Sequence, residues 1–219
     1  MTADLTSTTT LNFLSILTQT AIAYREGNKP PVAEIVVNAL LAAEKSAKQQ
    51  RLNYPFESLM GKWRLCFATG TKKVRQRGGI ILGKGFYLPK FAAVYISFSP
   101  SLDDASLQTS LHTNSQTAAG KCEISNQVQL GSMVLKLTGS AQYLGKKNLL
   151  AFDFTQMQVS LFNRVVYHQR IRSGKVESED FYSQPIAKLP FFAFFLATED
   201  FIAARGRGGG LAIWIREKI

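Results

Sequence analysis

The stretches CEISNQVQL, residues 122–130, and LKLTGSAQY, residues 135–143, decide the fold of this chain. In both stretches apolar side chains, such as Ile124 and Leu137, recur at every second position, with polar residues such as Glu123 between them. A period of two is typical of a β-strand that buries one face and exposes the other. The two stretches therefore predict β-strands rather than helices.

The same pattern continues in both directions along the chain. The further stretches that show it are residues 63–67, 80–82, 94–98, 149–159, 165–171, 176–182 and 211–216. Turn-like residues separate them, including residues 145–148 and the pair Ser173-Gly174. Eight or nine short strands at regular spacing are typical of an antiparallel up-and-down barrel or a sandwich.

The chain before residue 54 has a helical period instead. Its first helix is predicted from the spacing of Leu11, Leu14, Leu17 and Ala21, and Gly27 ends it. A second helix opens after Pro30-Pro31, and its apolar positions are Ile35, Val36, Ala39, Leu40 and Ala43. We expect residues 1–54 to form a helical segment packed on a single β domain of residues 55–219.

Composition narrows the class of protein. The chain has 219 residues, of which 46% are hydrophobic and 19% charged, so a disordered chain is excluded. Lys and Arg number 26 against 15 acidic residues, and the net charge of +11 with this apolar content predicts a protein that works at or near a negatively charged or hydrophobic partner. No stretch reaches the roughly 20 apolar residues of a membrane span. The start resembles neither a secretory signal nor a basic transit peptide, and two cysteines make no disulfide framework. These features predict a soluble, intracellular protein.

A barrel of about eight strands is just wide enough to hold one small ligand. The side chains predicted to face inward are large and apolar, and they favour a hydrophobic guest held by burial of its surface, at roughly 25 cal/mol per Å². The alternative is that these side chains simply fill the barrel as a core. The candidates for the lining are Trp63, Leu65, Phe67, Val94, Ile96, Phe98, Leu135, Leu137, Phe152, Phe154 and Trp214.

Two segments carry a resemblance to a known family. Gly61-Lys62-Trp63 is a Gly-x-Trp signature at the first strand, and residues 59–65 with Phe67 and Thr69 resemble the plastid lipid-associated proteins, or plastid fibrillins. The C-terminal segments Glu199-Asp200-Phe201, Ala204-Arg205-Gly206 and 210–216 are also similar, so the resemblance runs from about Leu14 to Arg216. The chain departs from the family at Ile202, where an arginine is usual, and in the glycine-rich run 206–210.

The resemblance implies a lipocalin-like barrel that binds carotenoids, quinones or tocopherols at the periphery of thylakoids or lipid globules. Given the resemblance, the absence of a transit peptide suggests a cyanobacterial member, located on the cytoplasmic or stromal side of the thylakoid membrane. We expect ligand binding without catalysis, and no cofactor.

Residues 58–102 contain no acidic side chain, whereas basic and aromatic residues are interleaved there. Basic residues gain about 1 kcal/mol each near an anionic leaflet, and aromatic rings settle at the headgroup level. We therefore expect a contact with an anionic membrane surface, the alternative being a solvated basic face. The candidates are Lys72, Lys73, Arg75, Arg77, Lys84, Phe86, Tyr87, Lys90 and Phe91.

Signals for catalysis or for metal binding are weak. His112 and His168 have no metal-ligand spacing with the cysteines. Asp153 is expected on the inward face, where a buried acid could serve as a general acid, although a satisfied structural carboxylate is the alternative. A scaffold or assembly factor that docks an acidic photosynthetic complex, and an enzyme or chaperone that handles a tetrapyrrole or carotenoid, remain alternatives. Nucleic acid is disfavoured, because no RNA-binding signature accompanies the charge.

Overall fold

The structure is a computed structural model that describes residues 3–74, 79–100, 120–171 and 181–218, with backbone only for residues 3–11, 71–74 and 79–81. Two helices, α1 (Ala3–Glu26) and α2 (Ala33–Gln50), come first. The strands are β1 (Gly61–Val74), β2 (Gly79–Tyr87), β3 (Ala92–Pro100), β4 (Gly120–Leu130), β5 (Met133–Leu144), β6 (Leu149–Leu161), β7 (Arg164–Arg170), β8 (Phe191–Ala197), β9 (Phe201–Gly206) and β10 (Leu211–Arg216). Short 3₁₀ turns cover Phe56–Ser58, Gly145–Lys147 and Ile186–Lys188.

Eight of these strands close into an antiparallel barrel in the order β1-β3-β4-β5-β6-β8-β9-β10. The circle closes between β1 and β10, where Trp63 lies opposite Arg216 and Ala68 opposite Ala212. The other two strands lie outside the circle, β2 paired with β1 and β7 paired with β6. The predicted lipocalin-like antiparallel barrel of about eight strands, preceded by a helical pair, is therefore confirmed as an architecture.

Two of the barrel strands, β8 and β9, were not predicted as part of the alternating pattern. They lie side by side in the wall and are covered on both faces, so Phe194 and Phe195 are both buried. Strands buried on both faces read as continuous apolar runs and lose the period of two. The predicted strand at residues 176–182 lies largely outside the described residues, and its last two residues, Phe181 and Tyr182, are not in a strand.

The barrel has one closed end and one end that opens. β1 pairs with β3 over residues 61–64 and then with β2 from Phe67 onward. Similarly, β6 pairs with β8 over residues 149–151 and with β7 from Gln156 onward. At the opening end the register aligns a row of neighbouring residues across five strands, namely Ala92, Leu130, Met133, Leu161 and Arg164. We call this end the rim.

Apolar side chains form one cluster inside the barrel and another on its outer wall. On β10, Trp214 faces the interior, whereas Ile213 and Ile215 face outward against the helices. α1 and α2 cover this outer face with Leu17 and Leu40, both fully buried. A smaller cluster of Ala151, Phe181 and Leu189 lies outside the barrel interior. The helices are thus held by the wall and not by the barrel interior.

The helices present faces that differ slightly from the predicted ones. Leu14 and Ile35 are exposed, while Phe13, Thr20 and Tyr24 are buried in addition to Leu17 and Ala21. The buried stripe of α1 is therefore rotated by about one residue, because the curved barrel wall and α2 together decide which side of α1 is covered. Within the described ranges, neither helix has the length and apolarity needed to cross a bilayer.

Candidate functional site

Aromatic rings fill the middle of the barrel. Phe192 on β8 lies 5.1 Å from Phe152 and 5.4 Å from Trp214, measured between ring centroids. Phe194 meets Phe98 edge-on at 5.9 Å, and Phe152 is 5.2 Å from Phe154. Such pairs contribute about 0.5–1.5 kcal/mol each beyond the area that they bury. We call these five rings and the indole of Trp214, taken together, the aromatic layer, and it presents an apolar surface towards the rim.

The closed end is sealed by a tryptophan and an arginine. Trp63 is fully buried, and its Nε1 donates a hydrogen bond to the carbonyl of Leu59 at 2.7 Å. The guanidinium of Arg216 lies 3.9 Å from the centroid of the Trp63 ring and donates to the carbonyls of Met60 and Glu199. Trp63 and Trp214 lie on the neighbouring first and last strands of the barrel, where Leu65 pairs with Trp214.

Seven of the predicted lining residues belong to the interior cluster or pack against it. They are Trp63, Leu65, Ile96, Phe98, Phe152, Phe154 and Trp214. Three more lie nearer the rim and are half-buried, on strand positions that continue the interior face: Val94, Leu135 and Leu137. The structure therefore places ten of the eleven predicted residues on the inner face of the barrel wall.

The inward orientation expected for Phe67 is wrong. A β-bulge interrupts the pairing of β1 with β10 between Leu65 and Phe67, so that both Cys66 and Phe67 join the cluster beneath the helices. A bulge adds one residue to the strand and exchanges the two faces beyond it. The inward orientation expected for Asp153 is also wrong. Side chains alternate along a strand, and Asp153 lies between the interior residues Phe152 and Phe154, so it points to the outer face.

The rim carries exposed apolar side chains on neighbouring strands. Leu130, Met133 and Leu161 stand in one register row, and Phe91 and Phe162 lie in the turns beside it. Phe91 is 78% exposed and Phe162 is 75% exposed. We call these five residues the apolar rim. Exposed patches of large apolar residues on one side of a protein mark surfaces that meet a partner or a membrane.

The predicted membrane-contact residues divide into three groups. Phe86 and Phe91 are exposed, and Lys90 lies in the β2–β3 turn next to Phe91. Tyr87 has a structural role, because its hydroxyl donates to the carbonyl of Pro31 at 2.7 Å and its ring packs on Phe67. Burial raises the pKa of Tyr87 to about 12. Lys84 lies on β2, Lys72 and Lys73 lie on β1 with backbone described only, and Arg75 and Arg77 lie outside the described residues.

Sequence reasoning missed the aromatic contribution of β8. Phe192 and Phe194 point into the barrel, whereas Phe195 points out to the helices, and a bulge places Leu196 on that outer side as well. The alternation of Phe192 with Phe194 was the available signal, but the surrounding run of apolar residues hides it. Tyr143 was also missed as an interior residue; its hydroxyl donates to the carbonyl of Tyr54 at 2.8 Å, and burial raises its pKa.

The candidate catalytic groups are dispersed. His168 is exposed on β7, Asp153 faces outward, and His112 lies outside the described residues. Cys66 and Cys122 are buried on opposite faces of the wall, and burial raises the pKa of each thiol to about 12. The described residues offer apolar surface rather than an arranged set of acids, bases and nucleophiles.

Comparison with protein-family models, with curated proteins and with solved structures gives no match for this chain. The barrel with its N-terminal helices is consistent with a lipocalin-like fold, and that statement rests on the geometry described above.

Proposed function

We propose that this protein binds a hydrophobic lipid or isoprenoid, of the carotenoid, quinone or tocopherol class, at the surface of an anionic thylakoid membrane, without catalysis. The observation that carries the proposal is the apolar rim, which leads into the half-buried inner face of β3–β6. Together they offer a ligand a largely apolar surface between the membrane and the aromatic layer.

The inner face near the rim suits an apolar chain. Val94, Leu135 and Leu137 are half-buried there, and the register places Met157 opposite Leu137. Burying this surface against a ligand removes apolar area from water, at about 25 cal/mol per Å². Such a lining selects by hydrophobicity and shape, so it accommodates several members of one lipophilic class.

Charge around the rim favours an anionic surface. Lys90 adjoins Phe91, and Arg164 stands in the register row beside Leu161. β1 is antiparallel to β3 and therefore carries Lys72 and Lys73 towards the same end. Basic groups near an anionic leaflet contribute about 1 kcal/mol each, and exposed aromatic rings such as Phe162 insert at the headgroup level.

Vesicle sedimentation tests the membrane part of the proposal. The double variant Phe91→Ser, Phe162→Ser should bind vesicles of phosphatidylcholine and phosphatidylglycerol at least about tenfold more weakly, because each buried Phe contributes roughly 1.5–3 kcal/mol. The matched control is Val32→Ser, Ile35→Ser, which removes two exposed apolar side chains from the helical side. Equal sedimentation of wild type and rim variant contradicts the proposal.

Mass spectrometry tests the ligand part. The full-length protein is reconstituted with a thylakoid lipid extract, repurified and extracted with organic solvent. A stoichiometric carotenoid, quinone or tocopherol supports the proposal, and an empty extract contradicts it. A variant with Leu135→Glu and Leu137→Glu should lose the bound lipid, whereas Lys136→Glu, on the opposite face of the same strand, should retain it.

A second candidate function, docking to an acidic protein complex, is favoured by β7. All seven residues of this strand are exposed, and it combines Arg164 and Arg170 with Val165, Val166 and Tyr167. An exposed strand edge is a ready template for pairing with another chain. Binding to a photosynthetic complex that persists in detergent without lipid, and that Arg164→Glu with Arg170→Glu abolishes, would favour this function over lipid binding.

A further inference from the structure

A cleft of about 330 Å³ lies on the outer wall of the barrel. Four elements meet there. The last turn of α1 supplies Tyr24 and Arg25, β1 supplies Arg64, and the β2–β3 turn supplies Lys90. The end of β10 and the two residues after it supply residues 215–218. Five of the eight lining residues are basic, and Glu217 is the single acid among them.

The positive charge of the cleft is largely uncompensated. Arg25 is paired with Asp200 at 3.1 Å. For Arg64, Lys90 and Lys218, the described residues supply no carboxylate within ion-pair distance. Fixed cations that share a concave surface raise the local concentration of anions.

Two buried polar atoms of the cleft residues have no hydrogen-bond partner in the described part of the chain. They are the hydroxyl of Tyr24, a residue only 7% exposed, and Nε of Arg64. The two side chains are neighbours, with the Arg64 guanidinium carbon 5.7 Å from the Tyr24 ring centroid, within the range of a cation–π contact. A buried donor without an acceptor costs about 1–3 kcal/mol, so an acceptor atom that a ligand brings to these groups is favoured.

The arrangement is held in place by neighbouring contacts. Nη2 of Arg64 donates to the carbonyl of Lys90 at 2.9 Å, which fixes the plane of the guanidinium. A Cβ built on Gly27 would lie 2.7 Å from Nζ of Lys90, so this ammonium group sits at the C-terminus of α1. There it offsets the negative end of the helix dipole, which would otherwise repel an anion.

We propose that this cleft binds a compact oxyanion, a phosphate, sulfate or carboxylate, through the guanidinium of Arg64 and the hydroxyl of Tyr24. A planar guanidinium matches two oxygens of such a group, and a phenol adds a third donor. The oxyanion comes either from a free anion or from the headgroup of an anionic lipid, since Lys90 adjoins Phe91 of the apolar rim.

Burial raises the pKa of Tyr24, while the nearby Arg64 charge opposes this shift. The phenol is consequently a protonated donor throughout the neutral pH range. The ability of the cleft to accept an oxyanion therefore does not change between pH 6 and about 8, apart from the protonation of the anion itself.

Calorimetric titration of the full-length protein with inorganic phosphate, at constant ionic strength, tests the site. Arg64→Met should weaken binding at least about tenfold, because charge-assisted hydrogen bonds are lost. Arg64→Lys retains the positive charge but loses the planar pair of N–H donors, so this variant should bind phosphate several-fold more weakly than wild type does. Lys147→Met, an exposed charge in the β5–β6 turn, is the matched control and should bind normally.

Thermal unfolding of Tyr24→Phe gives an independent readout. Without phosphate this variant should be as stable as wild type or more stable, because it removes an unsatisfied buried hydroxyl. With phosphate it should gain less stability than wild type does. A hydroxyl with a purely structural role would instead lower the stability of the variant equally under both conditions, and that result overturns the proposal.

Competition with vesicles identifies the source of the oxyanion. If phosphatidylglycerol vesicles displace phosphate and phosphatidylcholine vesicles do not, the cleft takes a lipid headgroup; if neither does, it takes a free anion. Both results support the oxyanion site, and vesicle sedimentation of the rim variant tests the membrane part of the proposed function separately. Absence of saturable phosphate binding, or equal binding by wild type and Arg64→Met, overturns the site even where vesicle binding persists.

Discussion

The guanidinium of Arg205 on β9 holds the carboxylate of Glu44 on α2 and so ties the helical pair to the barrel wall. Nε of Arg205 donates to Oε1 of Glu44 at 2.9 Å, and Nη2 donates to Oε2, in a two-pronged contact. Arg205 also donates to the carbonyl of Gly209 in the β9–β10 turn. Lys48, one turn along α2, lies 3.0 Å from the same carboxylate. One arginine thus joins a helix, a strand and a turn.

Replacing Glu44 with Gln should lower the free energy of unfolding by about 2 kcal/mol at pH 7, since charge-assisted hydrogen bonds are lost at a site only 8% exposed. The hydrogen bond from Arg205, and then that from Lys48, lowers the pKa of Glu44 against the opposing effect of burial. The stabilisation is therefore complete above the pKa of an unfolded Glu, about 4.3, and disappears as the pH falls through the lower folded value.

Urea unfolding of both proteins between pH 7 and pH 3 measures this difference. The difference in free energy of unfolding between wild type and Glu44→Gln should become smaller as the pH is lowered. Glu123→Gln on the exposed side of β4 serves as the control and should change stability little at any pH. A gap that stays constant down to pH 3 would show that the ion pair does not stabilise the fold.

The ring of Phe67 lies over Gly85 on the neighbouring strand, and no side chain fits between them. A Cβ at Gly85 would come within 2.0 Å of the Phe67 ring, which is fully buried and has no room to move. Gly85→Ala should therefore cost about 1–3 kcal/mol of stability, measured by chemical denaturation.

Two further variants make this prediction specific. Gly120→Ala, where a Cβ would meet nothing within 4 Å, should be nearly neutral. Adding Phe67→Leu to Gly85→Ala should recover part of the lost stability, because the smaller side chain makes room. A double variant whose loss equals the sum of the two single losses would contradict the contact.

The two tryptophans should report differently on a ligand in the barrel. Trp214 contacts Phe192 in the aromatic layer, whereas Trp63 is sealed at the closed end beneath Arg216. A bound quinone should quench the fluorescence of Trp63→Phe, which retains Trp214, more strongly than that of Trp214→Phe. Equal quenching in the two variants would place the ligand elsewhere.

The two cysteines should resist thiol reagents in the native protein. Cys66 is buried beneath the helices and Cys122 inside the barrel, and burial raises the pKa of each to about 12. Ellman's reagent at pH 8 should label neither thiol within minutes, and both after unfolding in urea. Rapid labelling of the native protein would show that the wall opens readily.

The period of two sufficed to predict β4 and β5 with the correct inward faces, because each has one apolar and one polar side. The same period also predicted correctly that most of the lining candidates, including Trp63 and Phe152, face the barrel interior. Local patterning determines such strands, since the alternation of side chains is a property of the extended backbone itself.

Tertiary structure decided the rest. Bulges reversed the faces of Phe67 and Leu196, and a bulge depends on how neighbouring strands pair, not on the sequence of one strand. The helices buried the outer face of β8 and the barrel interior buried its inner face, which removed the alternation that would have predicted this strand. The oxyanion cleft arose only because folding placed Tyr24, Arg64 and Lys90 side by side, from three elements far apart in the chain. Sequence alone thus determined most of the strands and the mainly β class, whereas packing between distant segments determined which side chains the barrel encloses and which it exposes.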